Sequence, residues 1–170
     1  MATTMKLIAK NTVSGSTAAS VVFSSIPGTY TDLWIMAMAR NSSSLSTLNI
    51  QFNGDTASNY SFRRLIGNGA AASSDSDASE GDIWIGLTTA STNTADTFAS
   101  NSIYVPNYAG STNKSVSGES ATETNATTAY IQCTAGLWAS TAAITSVTLA
   151  PDTGEFAIGS SFYLFGITKS

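Results

Sequence analysis

Chemistry in this chain has to start from its acids and arginines. The stretch AASSDSDASEGD, Ala71 to Asp82, holds Asp75, Asp77, Glu80 and Asp82, four of the eleven acidic residues. Calcium takes about six to eight oxygens in a defined arrangement. Asp75, Asp77 and Ser79 have the first offsets of a calcium-binding loop, but Glu80 stands where the glycine is required and Gly86 where the closing acid is required. An EF-hand is excluded. An irregular site drawing on Asp75, Asp77, Glu80 or Asp82 is the alternative to the reading adopted here, a solvated loop between strands that holds no metal. In SFRRL, Arg63 and Arg64 are two of three arginines. Neighbours on a strand point to opposite faces, so one is expected to pair with an acid from a loop and the other to contact a partner or a carbohydrate.

The rest of the inventory excludes more than it offers. Histidine is absent, which removes the commonest general base, the Ser-His triad and His-ligated zinc. The single cysteine, Cys133, rules out an intrachain disulfide, and its alternation with Ile131 in AYIQCTAG reads as a small core residue. Two carboxylates alone would suffice for a glycosidase, yet no pair here frames a cleft, so no catalytic residue and no cofactor is assigned. Charged residues make up 11% and the net charge is −4, which provides no basic field for nucleic acid. No apolar run reaches membrane-spanning length. MATTMKLIAKNTVSG lacks the apolar core of a signal peptide, so synthesis in a cytoplasm is expected.

Positioning these residues falls to strands. Serine and threonine, roughly a third of the chain, are poor helix formers and suit exposed strand faces and turns. The apolar period is 2. TDLWIMAMAR sets Leu33, Ile35, Ala37 and Ala39 against Trp34, Met36 and Met38; TLNIQFNG sets Leu48, Ile50 and Phe52 against Asn49 and Gln51 and ends on Asn53-Gly54, a turn signal. GDIWIGL, NSIYVPNYA, AYIQCTAGLW, AITSVTLAP and SSFYLFGI continue the pattern. NKSVSGESAT reads as an exposed strand, and the last segment, apolar on both faces, as an interior one. Nine or ten strands with no amphipathic helix give an all-β fold: a single-domain antiparallel β-sandwich, jelly-roll-like, over 17–170, preceded by a polar N-terminal arm, 1–16. The arm has an alternative as an edge strand using Leu7. Trp34, Met36 and Met38 occupy what should be an outward face, so either a second layer covers them or they form an oligomer or capsid interface.

Several stretches together resemble small virion structural proteins of tailed phages: SSIPGTYTDLWIMAMAR, LNIQFNGDTASNYSFRRLIGNG and AGLWASTAAITSVTLAPDTGEFAIGSSFYLFGI. The likeness spans most of residues 20–168 and is weakest over 70–125. It implies a non-enzymatic virion component, first a capsid decoration (cement) protein on the head exterior. It also implies a homotrimer and, as partners, the major capsid protein or other virion proteins. The alternative it leaves open is a receptor- or glycan-binding module of a tail fibre or tail tip, for which Trp84, Tyr104, Tyr108 and Trp138 are the residues that would stack on a host surface glycan.

Overall fold

The computed structural model describes residues 4–125 and 129–168. The regular elements are twelve strands: β1 (Met5–Thr12), β2 (Val21–Phe23), β3 (Asp32–Ala39), β4 (Thr47–Phe52), β5 (Tyr60–Gly67), β6 (Ala72–Glu80), β7 (Ile83–Leu87), β8 (Ala99–Val105), β9 (Lys114–Ala121), β10 (Ile131–Trp138), β11 (Val147–Pro151) and β12 (Ser161–Ile167). They form an antiparallel β-sandwich of an eight-stranded sheet, ordered β1-β12-β3-β8-β9-β10-β5-β6, and a four-stranded sheet, ordered β2-β11-β4-β7. The core lies between them. Leu33 and Ile35, Ile103 and Val105, and Phe162 and Leu164 from the large sheet meet Leu48, Ile50 and Phe52, Ile83 and Ile85, and Val147 and Leu149 from the small one. These are the alternate residues of each strand, so the period-2 pattern decides which face is buried.

The sheets approach closely where β7 lies over β9 and β10. A Cβ built on Gly118 would stand 2.5 Å from the Ile85 carbonyl oxygen, and one on Gly136 would stand 2.7 Å from the Ile83 Cγ2. The first obstacle is backbone and cannot swing aside. Gly118→Ala is therefore expected to lower stability by about 1–3 kcal/mol through overpacking, read as a fall in the urea midpoint.

β7 is also the edge of the narrower sheet, and its free backbone groups must find partners inside the protein. The large sheet supplies them. Asn101 accepts from the Leu87 N–H at 3.1 Å and donates to the Leu87 carbonyl at 3.0 Å and the Ala37 carbonyl at 3.3 Å; Ser120 Oγ takes a second bond from the Leu87 N–H at 3.1 Å. Gln132 and Thr134 lie 3.5 Å from the Trp84 carbonyl. This is why β10 points Gln132 and Thr134 inward and Ile131, Cys133 and Leu137 outward.

That inversion overturns one expectation. Cys133 is exposed, because the alternation Ile131–Cys133 marks the outer face of β10 and not the core. Two other segments also differ from their sequence reading. Ala71–Asp82 is not a loop: most of it is β6, the exposed edge strand beside β5. Serine, alanine and aspartate carry no strand signal of their own here, and pairing with β5 decides the conformation. Its acids also guard an open edge against pairing with another sheet, and Ser79, at φ 64 in the bulge opposite Tyr60–Ser61, bends it. Lys114–Ala121 is an interior strand, not an exposed one. For the N-terminal segment the structure decides between the two expectations: it contains β1, the edge strand using Leu7, paired with β12; residues 1–3 lie outside the described residues.

The segments FNGD, NY and GLW close into one corner. Asn53 and Gly54 take φ of 57 and 66, as the turn signal requires. The rings of Phe52, Tyr60 and Trp138 pack together with centroids 5.6 to 6.5 Å apart. Asp55 accepts from Trp138 Nε1 at 2.8 Å, Asn59 Nδ2 at 2.8 Å and the Ala57 N–H at 3.0 Å. These bonds hold its carboxyl below the usual carboxylate range, the Asn59 bond contributing most. The stretches that carry the resemblance thus build a structural joint.

Candidate functional site: the outer face of the large sheet

The register of the eight-stranded sheet lines up its outward residues in rows. One row runs Leu7, Phe165, Trp34, Tyr104, Ser117, Ala135, Arg63, Ser76. The next runs Lys10, Tyr163, Met36, Ser102, Glu119, Cys133, Leu65, Ser74. Trp34, Met36, Met38 and Arg63, singled out separately in the sequence, therefore share one face. Trp34 and Arg63 share one row, four strands or about 19 Å apart.

This face is unusually apolar for one with nothing laid over it. Of the eleven exposed large hydrophobic side chains among the described residues, eight belong to it: Met5, Leu7, Met36, Met38, Leu65, Tyr104, Ile131 and Leu137. They fall in two neighbouring areas. Over β1, β12 and β3 lies a ridge in which Met36 is 41% and Met38 50% exposed. Trp34 lies in the same ridge but is fixed against the sheet: its indole N–H donates to Ser102 Oγ at 2.8 Å and its ring leans on Phe165 at 5.9 Å.

Over β8, β9, β10 and β5 lies a groove of about 540 Å³. Ser102, Ser117, Cys133 and Ala135 are its small residues, and Arg63, Leu65, Tyr104 and Glu119 its larger ones. Tyr104 is held in place by donating its hydroxyl to Asp32 Oδ2 at 2.8 Å, which raises its pKa. Arg63 and Glu119 bring one outward charge of each sign to the lining, whose other charged residue, Arg64, turns its side chain inward.

Arg64 is the arginine that pairs. It points inward, 8% exposed, and binds Asp75 on β6 through Nε to Oδ1 at 2.8 Å and Nη2 to Oδ2 at 2.5 Å. Its guanidinium also sits 4.9 Å from the centre of the Trp84 ring and 5.3 Å from that of Phe62. That environment gives it a structural task and leaves Arg63 as the arginine available to a partner. Of the four aromatics considered for sugar stacking, Tyr108 and Trp138 are buried in the core and Trp84 is half-buried against Phe62 and Arg64. Tyr104, at 37% exposure, is the one presented outward.

Sequence reasoning missed Leu65, Tyr104, Glu119, Ile131 and Leu137 as members of this face. The inverted polarity of β10, where polar residues sit inward because they cap β7, reveals Ile131 and Leu137; Leu65, Tyr104 and Glu119 join the face through strand order and register. Compared with known proteins, the chain matches no family model, no curated protein and no solved structure.

Proposed function

We propose that the chain is a non-enzymatic structural protein of a tailed-phage particle, a capsid decoration protein that works through the outer face of its large sheet. The observation that carries this reading is the concentration of exposed apolar side chains on one broad, charge-poor, hydroxyl-rich face, since patches of this kind mark interaction surfaces. In this reading the ridge of Trp34, Met36 and Met38, extended by Met5 and Leu7, joins copies of the chain into a homotrimer. The adjoining groove turns toward the major capsid protein.

The connectivity supports a jelly-roll reading of the sandwich. Four antiparallel pairs nest one inside the next, β2 with β11, β3 with β8, β4 with β7 and β5 with β6. The β9–β10 hairpin is inserted between β8 and β5, and β12 and β1 are added beside β3. Such folds serve as capsid domains, though a fold alone does not fix a function.

A second reading, a glycan-binding tail module, is favoured by one observation, the exposed Tyr104 ring beside Arg63 in the groove. Quantitative mass spectrometry of purified particles separates the two. A copy number comparable with that of the capsid subunit is expected for decoration. A copy number comparable with that of tail proteins would transfer the assignment to the tail, and absence from the particle would refute both.

A further inference from the structure

We propose that Asn68, at the tip of the β5–β6 hairpin, is a site of spontaneous covalent modification: its side chain closes onto the backbone nitrogen of Gly69 and ages to aspartate and isoaspartate, while the fold holds Asn53, in the same dipeptide, out of this reaction. The inference is independent of how the outer face of the large sheet is read. The chain has two Asn-Gly pairs, Asn53-Gly54 and Asn68-Gly69. Asparagine is chemically labile, above all before glycine, which has no Cβ to obstruct approach to its nitrogen. The dipeptide alone makes the two equal. Both glycines are also open, since a Cβ built on either Gly54 or Gly69 would meet nothing within 4 Å. The difference lies in what holds each carboxamide.

Asn53 commits its side chain to another segment. Its Oδ1 accepts from the Thr145 N–H at 2.8 Å, the Ser146 N–H at 3.1 Å and Thr145 Oγ1 at 3.2 Å, and its Nδ2 donates to the Ala143 carbonyl at 2.9 Å. The carboxamide is turned toward residues 143–146, and the nitrogen that has to leave is itself bonded. Reaction requires these bonds to break first. Asn68 is the reverse case. Its Oδ1 accepts from the Ala70 N–H at 3.0 Å and the Ala71 N–H at 2.8 Å. Those are the two residues that follow Gly69, so the carboxamide lies across the Gly69 peptide. The Asn68 Nδ2 and the Gly69 N–H have no hydrogen-bond partner among the described residues. Asn68, Gly69 and Ala70 are all exposed.

In the reaction the Gly69 nitrogen gives its proton to hydroxide and bonds to the Asn68 Cγ. Negative charge gathers on Oδ1, where the Ala70 and Ala71 N–H groups already point, and donors placed where charge develops favour such a step. The Cγ–Nδ2 bond then breaks, Nδ2 takes a proton from water, and ammonia leaves a cyclic imide behind. Water opens the imide at either carbonyl. One product is aspartate on the original backbone. The other, isoaspartate, carries the chain through its side-chain carbon and lengthens the turn by one atom. The sum is one water consumed and one ammonia released, with no change of oxidation state. Either product adds a negative charge to a recess of about 420 Å³ that already holds Glu123. Isoaspartate does more. The turn sets the register of a hairpin, and β6 has β5 as its one neighbour in the sheet. A longer turn therefore loosens the edge strand and its Asp75–Arg64 pair.

The test incubates the full chain at mildly alkaline pH, folded and in guanidinium chloride, and follows both Asn-Gly peptides by mass spectrometry. In the folded chain the amide-to-acid mass gain at Asn68 is expected to be at least about ten-fold faster than at Asn53, because each hydrogen bond that Asn53 must give up slows its reaction severalfold. In guanidinium chloride both are the same dipeptide in an open chain, and the two rates should converge. Labelling by a protein isoaspartyl methyltransferase should find isoaspartate in the Asn68 peptide. Asn68→Gln, whose longer side chain closes a ring less readily, should lose that label. A folded chain in which Asn53 reacts as fast as Asn68 overturns the proposal, as does one in which Asn68 is inert while the unfolded chain reacts. A gap that persists undiminished in guanidinium chloride also overturns it, since flanking sequence and not the fold would then set the rates.

Discussion

Asn101→Ala is expected to lower the stability of the chain by about 2–5 kcal/mol, as much as truncating a large core side chain. The reason is the width mismatch between the sheets. β7 ends the four-stranded sheet over the middle of the eight-stranded one, where water does not reach. Asn101, 3% exposed, fills its carboxamide on both sides, accepting from one backbone N–H and donating to two carbonyls. Alanine deletes all three bonds. Ser120 still serves the Leu87 N–H, but the Leu87 carbonyl is left buried and unpaired. Each such group costs about 1–3 kcal/mol, and the vacated volume adds to it. Urea unfolding at constant slope measures the loss. A change below about 1 kcal/mol would mean that β7 finds other partners and that the polar lining of β8–β10 has another purpose.

The second large effect concerns assembly. Met36→Glu combined with Met38→Glu is expected to weaken self-association by at least about 100-fold, since central interface anchors are each worth about 2 kcal/mol and a carboxylate inside an apolar contact costs more than a truncation. The melting temperature of the monomer should change by only a few degrees, because both side chains are about half exposed in the isolated chain. Trp34→Ala makes an instructive contrast. It removes a hydrogen bond to Ser102 and packing on Phe165, so it should lower fold stability and association together. Sedimentation velocity beside thermal melts distinguishes the two patterns. A wild-type chain that is monomeric at all concentrations would remove the ridge from the account.

The sandwich was legible because its core strands obey a simple rule. In β3, β4, β7 and β12 the apolar alternation names the buried face, and Asn53-Gly54 marks its turn. Legibility failed where a strand answers to its neighbours and not to its own composition. β6 has no apolar alternation, since it is exposed on both faces, and the paired β5 holds it extended. β9, KSVSGESA, has one large apolar residue, yet it is interior. β10 reverses polarity in order to cap β7, which moved Cys133 from the expected core to the surface. The outer face of the large sheet followed the same division. Trp34, Met36 and Met38 stand out within one strand, and Arg63 within another. That they share a face with Tyr104, Glu119 and Cys133 depends on the order and register of strands far apart in sequence, which no local pattern contains. The acidic stretch divided in the same way. Asp75 was claimed by Arg64 and Asp77 by solvent, while Asp82 shares the Asn49 amide with Asp152, seventy positions on.

The central claim, that the outer face of the large sheet is covered when the protein does its work, has a built-in reporter. Cys133 is the single cysteine and lines the groove between Leu65 and Glu119. The rate at which a small maleimide alkylates it should be compared between the isolated chain and intact particles. The account predicts ready reaction in the isolated chain and at least about ten-fold slower reaction in the particle, because dense interface packing excludes the reagent. Equal rates in the two would contradict it.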